Sequence, residues 1–115
     1  MLNNLAALRA GLGQYDRAVP LYQRALDIVE KSEGPDSRMA AAILNNLAVC
    51  YVERKKYRQA EPLLLRSLRV EPTLPALETY ATLLRKTKRA PQARQIEGQI
   101  RQLRSAQHPG SRAPQ

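Results

Sequence analysis

The sequence predicts an all-α solenoid of about three stacked helix-turn-helix units, and three observations lead there. The pentapeptide "LNNLA" occurs at 2–6 and again at 44–48. Shifting the chain by 42 residues, the distance from Leu2 to Leu44, lays Tyr15 on Tyr57, Ala18 on Ala60, Pro20 on Pro62, Leu21 on Leu63, Arg24 on Arg66 and Leu26 on Leu68. A further shift of 33 carries Leu44 to Leu77, Ala48 to Ala81 and Ala60 to Ala93, a weaker third copy.

Six helices are expected, near 1–12, 16–31, 37–54, 58–70, 76–88 and 91–104, grouped as repeats near 1–33, 38–73 and 74–104. The first carries apolar Leu2, Leu5 and Leu8 and stops in "GLG" at 11–13, which follows no strand and lacks a Lys-Ser/Thr, so it reads as a helix-ending turn and not a phosphate loop. The second holds Ala18 and has Pro20 near its start, where a missing N–H is tolerated best within the first turn. Gly34 and Pro35 stop it, and Asp36 or Ser37 caps the third helix. That helix shows a stripe of Leu44, Leu47, Ala48 and Tyr51 at helical spacing, and the fourth continues with Ala60, Leu64 and Leu68 before Pro72. Copy three keeps the sixteen-residue step from Leu77 to Ala93 that links Leu2 to Ala18 and Leu44 to Ala60. Small residues at these places let neighbouring helices approach closely while larger ones fill the seam.

These residues resemble the tetratricopeptide pattern: a large apolar residue, then Leu with a small residue, an aromatic, and later Ala, a large residue and Pro. With "AVPLYQRALDI" and the longer stretch around "EKSEGPDSRMAA", the 42-residue spacing is similar to the long repeat of kinesin light chains and of bacterial proteins that share it. The resemblance covers 1–104 and implies the C-terminal part of an array. Copy three departs from it, with Glu78 and Thr79 in place of the two Asn, Ala90 in place of Tyr, and Glu97 and Arg101 where apolar residues stood. A terminal repeat has no further neighbour, so a polar outer face on its last helix is expected. Residues 105–115, rich in Pro, Gly, Ser and Ala, read as a disordered tail. No cap is visible before the first helix, whose apolar seam upstream repeats would cover.

Composition narrows the function classes. No run is long and apolar enough to cross a membrane, and no basic-then-apolar leader opens the chain. One cysteine, Cys50, fits a reducing compartment and favours a cytoplasmic setting. Neither Cys50 nor the one histidine, His108, has the sequence partners that metal ligation or nucleophilic catalysis requires, so no enzyme site, metal or cofactor is expected. Charge is uneven: the formal total is +9, and residues 1–50 balance to zero. The excess gathers at turns, as Lys55, Lys56 and Arg58 in copy two and Lys88 and Arg89 in copy three. Stacked turns of this kind suit an acidic ligand.

A helical wheel places Asn45, Asn46, Val49 and Glu53 away from the apolar stripe. In the family the first helix of each repeat lines the concave side. The resemblance therefore implies a groove that binds an extended peptide, with Asn3, Asn4, Asn45 and Asn46 hydrogen-bonding its backbone, Val49, Glu53 and Thr82 lining it, and Lys86 supplying charge for a partner of acidic character. Asn suits such a ladder because its amide both donates and accepts. The expected function is a non-catalytic protein-interaction scaffold. Two alternatives stand beside it. One is polyanion or nucleic-acid binding at the basic turns, against which the lack of Phe and Trp for base stacking weighs. The other is self-association, as a homodimer through the uncapped first helix.

Overall fold

The computed structural model describes residues 2–107, and among them lie six α-helices: α1 Leu2–Gly11, α2 Tyr15–Glu33, α3 Arg38–Glu53, α4 Tyr57–Val70, α5 Leu74–Lys86 and α6 Ala90–Gln107. They pair as antiparallel hairpins, α1 with α2, α3 with α4 and α5 with α6. Successive hairpins stack through α2 on α3, α4 on α5, and α3 on α5, which gives an elongated body of 49 × 31 × 25 Å.

The small-residue positions explain the close stacking. Ala6, Ala18, Ala48, Ala60, Ala81 and Ala93 are all buried. Around them the core divides by seam: Tyr22, Ala25, Ile43 and Leu47 close the first, and Val52, Leu64 and Leu83 the second. A third group, Leu77, Ala81 and Ile100, holds α6 to α5. The central helix α3 meets neighbours on both sides, so Ile43, Leu44, Leu47, Ala48 and Cys50 are almost wholly enclosed.

Repetition extends to the turns. Gly13, Lys55 and Lys88 fall on one another under the two shifts, and each adopts positive φ, at 77°, 60° and 63°. Behind each, the next N–H reaches back to the carbonyl five residues earlier: Gln14 to Arg9, Lys56 to Tyr51 and Arg89 to Leu84, all at 2.8 Å. This is the left-handed ending that satisfies carbonyls orphaned at a helix C-terminus. "GLG" is thus a helix-ending turn. Pro20 and Pro62 occupy the sixth position of α2 and α4, just past the exposed first turn, and each withholds the N–H that a residue there would donate to the carbonyl four residues back.

Three helix boundaries that differ from expectation have a definite local setting. Ser37 caps α3, its hydroxyl accepting from Ala40 N–H at 3.0 Å. Thr73 caps α5, receiving Ala76 N–H at 3.4 Å with Pro75 in the first turn, so α5 begins at Leu74 and not near 76. Helix α6 runs on through Ser105, Ala106 and Gln107, residues expected to belong to the tail; 108–115, including His108, lie outside the described residues.

The polar face expected on the last helix is present. Glu97 falls in register with Tyr22 and Leu64, both buried against the next repeat; among the described residues α6 packs on α5 alone, and Glu97 instead accepts two hydrogen bonds from Arg85, at 2.7 and 2.6 Å. At the opposite end Leu5, Leu8 and Leu12 of the first hairpin are exposed.

Candidate functional site

Helices α3 and α5, the first helices of adjacent repeats, run beside each other and leave a cleft of about 460 Å³ between them. Asn45, Asn46, Val49 and Glu53 line it from α3, and Glu78, Thr79 and Thr82 from α5. It continues past Pro75 into a second hollow of about 300 Å³ at the N-terminal ends of the two helices, whose walls include Arg38, Ser67 and Glu71. Asn45 and Asn46 belong to both hollows.

Asn45 departs from the wheel. It is only 7% exposed, because the face that points away from α4 turns toward the neighbouring repeat. Its Oδ1 is buried and accepts no hydrogen bond among the described residues. An orphaned buried acceptor of this kind is destabilising by about 1–3 kcal/mol. Three of the hydroxyls around it are already committed as donors: Ser67 Oγ to the Ala41 carbonyl at 2.8 Å, Thr79 Oγ1 to that of Pro75 at 2.8 Å and Thr82 Oγ1 to that of Glu78 at 3.0 Å. Their lone pairs remain.

The other expected groove residues separate. Asn3 takes the place of Asn45 one repeat earlier and shares its orphaned Oδ1, but it lines a different hollow of about 290 Å³ whose other walls, among them Ile28, Met39 and Ile43, are apolar. Asn4 is exposed, and Lys86 is exposed in the last turn of α5, outside the cleft wall. The four asparagines therefore do not share one cleft. Glu78 and Thr79 join the wall from positions where copy three lacks the two Asn, and helix pairing alone reveals them.

The basic turns divide as well. Lys55, Lys56 and Arg58 surround a shallow hollow beside Thr87 of the next repeat. Arg89 is not free to join them: its guanidinium grips Glu61 through two bonds of 3.0 and 2.7 Å, and its Nε donates to Thr87 Oγ1 at 3.1 Å. Lys88 is exposed at the left-handed turn position and does not line that hollow. Arg54 pairs with Asp16 of the preceding repeat.

Among the described residues no group of His, Cys, Asp and Glu is placed to hold a metal ion, and no helix is long and apolar enough to cross a membrane. The Cys50 thiol is buried, and desolvation raises its pKa, which favours the neutral form over the nucleophilic thiolate. The Tyr15 hydroxyl is likewise pushed up, first by partial desolvation and then by the Glu53 carboxylate nearby.

The helical hairpins, their common turn and the small-residue seams coincide with a match of residues 1–70 to the family model described as Tetratricopeptide repeat. The chain belongs to the tetratricopeptide repeat family. Repeats of this family generally mediate protein–protein interactions. The crystal structure of BtubC (BKLC) from P. vanneervenii superposes with a TM-score of 0.85 at 20% identity, covering 99% of this chain and 48% of that one. At that identity the likeness is one of fold, and the chain spans about half the length of BtubC. No curated protein matches the sequence.

Proposed function

We propose that this tetratricopeptide array is a non-catalytic scaffold that binds an extended segment of a partner protein in the cleft between α3 and α5. The observation that carries the reading is Asn45 Oδ1, a buried acceptor without a partner at the floor of an open cleft. Asn46, half-buried beside it, offers an amide that both donates and accepts, the pair of functions a peptide backbone needs. Val49 adds apolar surface, while Glu53 and Thr82 supply polar edges. Asn3, Asn4 and Lys86 lie beyond the lining of this cleft.

The test is to select a peptide against the protein by display and follow amide chemical shifts on titration. Shifts centred on Asn45, Asn46, Val49 and Thr82, abolished by Asn46→Ala, support the reading. Shifts confined to Lys55, Lys56 and Arg58 would assign binding to the basic turn and to polyanions instead, and the cleft reading would be wrong.

Self-association is a second reading, favoured by the exposure of Leu5, Leu8 and Leu12 at 42%, 59% and 62%. Apolar residues grouped on one face find partners. Sedimentation showing a concentration-dependent dimer that Leu8→Glu converts to monomer supports it; a monomer at every concentration refutes it.

A further inference from the structure

The chain as a whole is strongly basic, at +9, but the cleft is not. Its two hollows are lined by three carboxylates, Glu53, Glu71 and Glu78, against the single guanidinium of Arg38. Glu53 has no ion-pair partner among the described residues. Glu71 faces Arg38 at 3.4 Å, where the arginine side chain is 87% exposed, and Glu78 pairs with Arg104, itself more than half exposed. Ion pairs so open to water contribute little and exchange readily for a better one.

Most of the neutral groups lean the same way, the Thr73 hydroxyl, which accepts from Ala76 N–H and keeps its own proton, being an exception. Ser67, Thr79 and Thr82 have spent their protons on backbone carbonyls, so toward the cleft they can only accept. Asn45 Oδ1 is an acceptor in want of a donor. Its terminal amide turns about a soft torsion, so a donor entering the cleft can draw the oxygen to the surface. Asn46 supplies a neutral amide that can donate to a backbone carbonyl. A ligand that satisfies such a wall is rich in donors and carries positive charge, which describes lysine and arginine side chains and not the acidic ones that the basic turns suggest.

Resting on the reading of the α3/α5 cleft as a peptide site, we propose that it selects partner segments bearing lysine or arginine, whose cationic heads donate to Asn45 Oδ1 and to the carboxylates of Glu53, Glu71 and Glu78. The backbone of the segment lies along Asn46 and Val49. The basic turn at Lys55, Lys56 and Arg58 then works as a repulsive edge that keeps the cationic segment within the cleft.

Three labelled peptides of equal length test this by fluorescence anisotropy with the full chain: one alternating lysine and serine, one alternating glutamate and serine, one of serine and glycine. The lysine peptide should bind about tenfold tighter than the neutral one, with salt weakening it, and the glutamate peptide should not bind. The double variant Glu53→Gln, Glu78→Gln should reduce lysine-peptide affinity about tenfold. Asn45→Ala should also weaken that binding while its melting temperature stays level or rises, because it removes an unsatisfied acceptor; an asparagine that served only the fold would lower the melting temperature. A glutamate peptide that binds more tightly, and is lost with Asn46→Ala, overturns the charge assignment and leaves the cleft as the site. A lysine peptide indifferent to the carboxylate substitutions overturns the assignment too. If no peptide responds to Asn46→Ala, the cleft reading itself fails.

Discussion

Lys55 adopts, at φ 60°, the left-handed conformation that Gly13 adopts at 77° in the preceding repeat. A residue with a Cβ is strained there and glycine is not. Lys55→Gly should therefore stabilise the array, by about 0.5–1 kcal/mol after allowing for the greater freedom of glycine in the unfolded chain. Lys88→Gly should act similarly. Urea unfolding measures both, and a loss of stability in each would mean the turn is held by lysine contacts and not by backbone geometry.

Neighbouring leucines of α4 make a second comparison. Leu64 is fully enclosed with Val52, Ala60 and Leu83, while Leu65 is 42% exposed. Leu64→Ala should cost about 2–5 kcal/mol and broaden or split the thermal transition, since it opens the seam between the second and third repeats. Leu65→Ala should cost less than about 1 kcal/mol. Calorimetry of the two variants checks the contrast.

Arg89 and Glu61 join the last repeat to the one before through two parallel bonds, with each side chain about one-third exposed. A double-mutant cycle with Arg89→Ala and Glu61→Ala should give a coupling of about 0.5–1 kcal/mol. Arg89→Lys should lose most of it, because a single ammonium cannot reproduce the fork. Coupling near zero would show the pair to be ornamental.

Glu97 supplies a pH dependence whose sign can be worked out. Hydrogen bonding from Arg85 lowers its pKa in the folded chain below the ordinary glutamate value. A carboxylate with a depressed folded pKa contributes stability that is complete above its unfolded pKa and disappears as pH falls through the folded one. The melting temperature of the wild type should exceed that of Glu97→Gln at neutral pH, and the gap should close on acidification through and below the usual glutamate range. A gap that widened with acid would contradict the assignment.

The repeated pattern of Leu, Ala and Tyr was by itself sufficient to determine the hairpins, their number, the residues of closest approach and the polar face of the last helix, because each follows from spacing along one helix and its partner. Ala6, Ala48 and Ala81 are buried where the stripe places them. Glu97 meets Arg85 on a face of α6 that no other helix among the described residues covers. Capping by Thr73 is also legible in sequence, since a threonine two residues before Pro75 can cap a helix whose first turn holds that proline. What a wheel drawn on one helix cannot contain is the neighbouring repeat. Only stacking buries Asn45, separates Asn3 from Asn46, sets Glu78 and Thr79 across from Val49, and turns Arg89 from the basic turn onto Glu61. Such contacts join residues dozens of positions apart whose distance depends on how the hairpins stack, and no local periodicity encodes that distance.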